Sequence, residues 1–215
     1  MFLASRFAHY SLQIPVAKSL ATNVLLLVSQ LLLTTFIVTS NAQADNEIRI
    51  INITDYQENK QLLINSESQF NLPQEVVDAV HHEIPLSFKI QIQLTEKSRL
   101  LGFGYQRTRN HIEFHTKLYA YGMNRQYALF NTRNQNSQSF RSIDDALKTL
   151  ATLEAFPIAS LSELHPEQRY TLRMRISLDY WKLPAPMILQ ALFSSYWRLD
   201  SQWFETTLQT PSSWQ

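Results

Sequence analysis

No cysteine occurs among the 215 residues. That absence excludes disulfides, thiolate metal sites, a cysteine nucleophile and the lipidation cysteine of a bacterial lipoprotein anchor. Stability must therefore come from a packed core, which a domain of about 170 residues can supply without staples. Glycine is scarce, with three against eight prolines, so neither a collagenous nor a glycine-rich low-complexity chain fits. An excess of one charge is also missing. The only charged residues before Asp45 are Arg6 and Lys18, so removing Met1 to Ala44 takes two from the 19 basic residues and leaves 17 against 18 acidic ones, a net −1. Such a domain has no global field to gather nucleic acid or an anionic surface, and no nucleic-acid partner is expected.

What is present begins with an apolar run, Val24 to Thr39, reading VLLLVSQLLLTTFIVT. Basic but no acidic residues precede it, which holds the amino terminus in the cytoplasm. Ser40-Asn41-Ala42-Gln43-Ala44 follows, and Ala42-x-Ala44 fits the small-residue pattern of signal peptidase, with cleavage before Asp45. The rival is an uncleaved anchor, favoured by the long stretch ahead of the run. Sixteen residues rise ~24 Å as a helix, short of the ~30 Å hydrocarbon core. Residues 1–44 are thus expected to be a signal peptide, and residues 45–215 one exported, periplasmic domain. If the leader stayed attached, residues 24–39 would anchor that domain at the inner membrane, its one expected membrane contact.

Leu86, Phe88, Ile90, Ile92 and Leu94 alternate with Ser87, Lys89, Gln91 and Gln93. Period two over nine residues predicts a half-buried strand, and one wet face suits an antiparallel sheet. Tyr170 to Leu178 alternates in the same way, with Arg173 and Arg175 outward, and should lie near the centre of a sheet. Ile48 to Ile53 and Leu62 to Ile64 predict two further strands around a polar turn at Asp55 to Lys60. Ile112 to Tyr121 and Gln126 to Asn131 predict a hairpin through Gly122-Met123-Asn124, where Gly and Asn tolerate positive φ. Three short helices are expected. One follows Asn71 and Pro73 and ends at Ile84-Pro85; one is capped by Ser142, with an apolar stripe from Ile143 to Leu153; one runs from Met187 through Phe193. The fold class is mainly β (α+β), an antiparallel immunoglobulin-like β-sandwich with two or three short helices behind an N-terminal signal helix.

Tyr170-x-Leu172-Arg173-x-Arg175-Ile176-x-Leu178-Asp179, then Leu183-Pro184-x-Pro186, then Trp197-x-Leu199-x-Ser201-x-Trp203 resembles domain-of-unknown-function family 4390. The resemblance covers about Ile48 to Leu208 and is strongest after Ser142. Before the hairpin it departs: a tryptophan-bearing strand is expected there, and this chain has Leu101-Gly102-Phe103-Gly104-Tyr105. The resemblance implies a small exported proteobacterial protein with no assigned activity, encoded near an rRNA methyltransferase and a membrane sensor kinase. That context suggests an accessory role beside an unknown envelope protein, the sensor kinase among the candidates. It carries over no functional residues.

Two sets of residues are candidate sites. His111, Glu113 and His115 share one face of a strand, ~6.5 Å apart at each step, a spacing that suits two metal ligands if a third arrives from elsewhere. The plainer explanation is the wet face of an amphipathic strand. Arg173, Arg175, Trp197 and Trp203 could form an aromatic and guanidinium binding surface, since both types are enriched at interaction hot spots. Alternatively the arginines pair with Asp179 or Glu205 and the indoles cap the core. His81-His82-Glu83 lacks the second histidine of a His-Glu-x-x-His site and reads as a helix end. Asp144-Asp145 is explained by the helix dipole, and Gly102-x-Gly104 lacks the remainder of a phosphate-binding fingerprint. Gly102 and Gly104 mark a turn or bulge at a sheet edge, with Arg99, Arg107 and Arg109 on a solvated rim.

No catalytic constellation and no cofactor is expected. A periplasmic binding or interaction module accessory to an envelope system is the first expectation. A metal-dependent periplasmic enzyme using the His111 to His115 face and a lipid-contacting structural envelope component are the alternatives.

Overall fold

The computed structural model describes residues 48–208 except Gly102, Pro166 and Glu167, all within the compact unit Asp45–Gln215. The leader expected over residues 1–44 lies outside the described residues. In chain order the elements are β1 (Ile48–Glu58), β2 (Gln61–Phe70), α1 (Gln74–His81), β3 (Leu86–Leu100), β4 (Phe103–Tyr121), β5 (Gln126–Asn131) and β6 (Asn136–Phe140). Then follow α2 (Ile143–Ala151), β7 (Thr152–Ser160), β8 (Tyr170–Leu178), α3 (Ala185–Phe193) and β9 (Phe204–Thr207). Both sheets are antiparallel. One has the order β1-β2-β7, the other β6-β5-β4-β3-β8-β9.

That order follows the immunoglobulin plan. β1, β2 and β7 take the places of strands A, B and E, and β3, β8 and β9 those of C, F and G. β4 and β5 extend the second sheet as C′ and C″ do, and β6 adds one strand more. Among the described residues no strand takes the D place; in the chain α2 stands there instead. A further mark of the plan is present where β8 begins. The backbone N–H of His165 donates to the hydroxyl of the fully buried Tyr170 at 2.9 Å, joining the start of strand F to the corner before it.

The inward rows make the core. Leu86, Phe88, Ile90, Ile92 and Leu94 of β3 are all buried. Ile90 lies between Phe114 of β4 and Ile176 of β8. Across the sandwich Phe114 stacks on Phe156 of β7, centroids 5.4 Å apart, and Phe70 of β2 meets Phe88 edge-on at 5.4 Å. The side-chain amide of Asn110 donates to the carbonyl of Ile158, tying β4 to β7. In β1 a bulge between Ile50 and Asn52 puts Ile51 outside, while Ile48, Ile50 and Ile53 all stay buried.

Several expected boundaries move. The first polar turn is only Asn59-Lys60, both at positive φ, which is the two-residue hairpin geometry. Positive φ in the β4–β5 turn falls on Gly122 and Arg125 and not on Asn124. β3 and β4 run on as a long hairpin whose last described pair is Leu100 with Phe103. α2 stops at Ala151, and Leu153, expected on its stripe, belongs to β7. The β-branched Thr152 adopts extended angles there, and α2 begins as expected, with Ser142 Oγ accepting from Asp145 N–H at 3.1 Å. α3 starts two residues early, at Ala185.

Removing the Tyr170 hydroxyl deprives the His165 amide of its acceptor. Tyr170→Phe should lower stability by about 1–3 kcal/mol, read as a lower urea midpoint at unchanged slope. An unchanged midpoint would mean that this corner contributes nothing.

Candidate functional site

The alternation that fills the core also builds the outer face of the six-stranded sheet. Arg173 and Arg175 of β8, Gln91 and Gln93 of β3 and His111, Glu113 and His115 of β4 all point to it. Gln93 lies between Arg173 and His111, and Gln91 between Arg175 and Glu113. The charges on this face are largely paired. Arg173 Nε sits 2.7 Å from a Glu205 carboxylate oxygen, and its guanidinium lies 4.8 Å from the Trp203 ring centre. Arg175 grips Asp200 with Nε at 2.8 and 3.1 Å and with Nη2 on the second oxygen. This hydrogen bond, aided by the carboxylate charge, raises the Arg175 pKa despite partial burial.

Arg173 thus takes the Glu205 partner that the sequence offered, whereas Arg175 takes Asp200 and leaves Asp179 to His115, at 3.2 Å. Trp203 joins the arginines. Trp197 does not: it is 2 % exposed and belongs to the core, so it offers no surface to a partner. Arg109, expected on a solvated rim, meets the almost fully buried Glu96 in an ion pair at 2.8 Å, and that close carboxylate raises its pKa.

The histidine face is also divided. His111 Nε2 leans toward Glu113 at 3.8 Å, while Glu113 accepts from the Gln91 amide at 2.9 Å. His115 turns the other way, to Asp179. Among the described residues no three His, Asp or Glu side chains converge on a point that could hold a metal ion.

A different site lies between the sheets, where the D place is open. Sheet one has three strands and sheet two has six, and α2 spans the difference by contacting β2, β5, β6 and β7. Beside it remains a cleft of about 300 Å³. Ile90, Phe114, Leu129, Met174 and Ile176 form its floor; Asn131, Asn134, Asn136 and Gln138 supply amides at its rim; Glu154 is its only charged lining residue. Ser66 and Ser68 of β2 line it with hydroxyls that are more than nine-tenths buried and have no hydrogen-bond partner. Buried polar groups are almost always satisfied, so two orphans on one wall ask for an occupant. Sequence reasoning missed them, though β2 carried the signal. Continuing its inward phase from Leu62 and Ile64 lands on Ser66 and Ser68, polar residues where an apolar row should run.

Two outcomes separate these surfaces. Trp197→Ala should cost about 3–5 kcal/mol through the cavity it leaves, and Trp203→Ala under about 1.5 kcal/mol, by urea unfolding. Comparable losses would return Trp197 to the surface set. Metal analysis after zinc loading and desalting should find no stoichiometric ion at His111, Glu113 and His115; one tightly held zinc lost in His111→Ala would restore that site.

No curated protein and no solved structure matches this chain. A family model described as Domain of unknown function (DUF4390) matches residues 45–207, spanning both sheets, the cleft and the paired outer face. The chain belongs to that family.

Proposed function

We propose that this domain is an exported, periplasmic binding module, accessory to an envelope system, which takes a small uncharged ligand into the inter-sheet cleft. The orphaned hydroxyls of Ser66 and Ser68 carry the proposal. Two buried hydroxyls, a row of rim amides and an apolar floor offer hydrogen bonds and surface burial, with a single charge among the described lining residues, that of the exposed Glu154. Such a site favours a neutral molecule with hydroxyl or amide groups on one side and an apolar body on the other. A volume of about 300 Å³ is at the small end of ligand sites.

Export is supported by the leader. The small-residue motif Ala42-Gln43-Ala44 ends where the compact unit Asp45–Gln215 and the family match both begin. A signal peptide removed at that bond would leave a domain whose described core runs from Ile48 to Leu208.

The site's chemistry gives an opposite sign to two measurements. With the cleft empty, Ser66→Ala and Ser68→Ala should be neutral or stabilising by up to about 1 kcal/mol, because each removes an unsatisfied buried group. The same substitutions should reduce occupancy of any small molecule that copurifies with the domain from envelope extracts, read by native mass spectrometry with the leader state checked on the same sample. A loss of stability with unchanged occupancy, or no bound molecule in wild type, would sink the proposal.

A further inference from the structure

α3 is unusual for a surface helix. Its nine residues, Ala185 to Phe193, contain one polar side chain, Gln190, and no charge. A helix that is apolar nearly all round belongs inside a core or in lipid, yet Leu189 is 64 % and Phe193 87 % exposed, with Leu192 also open. Trp181, 63 % exposed, extends the patch. Elsewhere on α3 the fold is satisfied: Ala191 is buried, and Met187 and Ile188 pack against the core. From Tyr180 to Leu199 the chain has Lys182 and Arg198 and no acidic residue.

The end of the sandwich on which this patch lies is fixed by pairing. Ile48, the first described residue, is opposite Phe70, whose ring meets Phe88. Phe88 is opposite Leu178, and Asp179 N–H donates to the Ser87 carbonyl at 2.8 Å. Trp181 follows two residues later. The chain therefore enters the domain at the same end that exposes Trp181 and α3. Eight residues, 40–47, separate Ile48 from the apolar run ending at Thr39, and they reach at most ~28 Å when extended.

From this placement we infer that Trp181, Leu189, Leu192 and Phe193 form a membrane-contact surface that rests in the headgroup region of a phospholipid bilayer. An aromatic and aliphatic face flanked by Arg198 and by Lys182, whose ammonium lies 3.9 Å from Asp179 at the patch's edge, suits that interface, where tryptophan concentrates and phosphate groups attract Lys and Arg. Until the leader is cut, the short spacer keeps this end of the domain near the bilayer; after cleavage the same face gives a weaker, reversible hold. The inference is independent of the cleft and rests on the exported reading of the leader.

The test uses residues 45–215, folding being checked by a cooperative thermal transition, with vesicles of phosphatidylethanolamine and phosphatidylglycerol. The domain should cosediment with them. Leu189→Ser with Phe193→Ser should lower partitioning at least about tenfold, and Trp181→Ala should lower it on its own. Ser68→Ala should leave it unchanged, so that failure of the cleft and failure of this surface are told apart. Absence of cosedimentation by the folded wild type overturns the inference, as does equal partitioning of the double variant. A dimer in sedimentation velocity that the double variant abolishes, without vesicle binding, also overturns it and assigns the face to a second copy.

Discussion

The structure depends on a mismatch in area. Sheet two offers six strands, and its central pair β3 and β4 carry inward rows that must leave water. Sheet one brings only three strands to cover them. Burial of apolar surface drives the two together at roughly 25 cal/mol per Å², and the strand deficit decides everything at the margin. Helix α2 stands in the chain where the D strand of an immunoglobulin domain would run. α1 seals the space by β4 with Val76, Ala79 and Val80. The cleft is the part of the mismatch that neither helix fills.

The outer face tells a complementary story. Its strands present charged side chains in register, and those charges are matched chiefly by short links, Arg173 to Glu205 and Arg175 to Asp200, while His115 contacts Asp179. Partly exposed pairs of this kind add little stability singly, but they leave few unmatched charges to draw a partner. The wet face therefore behaves as a finished surface, whereas the cleft keeps two hydroxyls without partners.

Elements whose apolar period was set by one strong environment were legible in the sequence. β3 and β8 alternate because one face is buried and one is wet, and α2 begins where Ser142 can cap it. β6 was invisible, since Asn136-Ser137-Gln138-Ser139 has no apolar alternation and only its last residue, Phe140, packs against the core. β7 was masked by the helix before it, as Leu153 continued the apolar count of α2 while the backbone had already turned extended at Thr152. Trp197 and Trp203 lie six positions apart with similar neighbours, yet one is core and the other lies over Arg173. Only the path of the segment between β8 and β9 separates them. Among the proposed site residues, Ser66 and Ser68 could have been found by asking which inward positions of β2 carry the wrong chemistry.

One detail of β7 bears on how such a domain avoids pairing with other chains. β7 is an edge strand, and the open D place leaves its outer side without a neighbouring strand among the described residues. It holds Pro157, which has no N–H to offer, and Ala155, whose positive φ kinks the strand out of line. An unguarded edge recruits strands from other chains. These two residues break the ladder where recruitment would begin, so the gap beside β7 resists becoming a nucleus for aggregation.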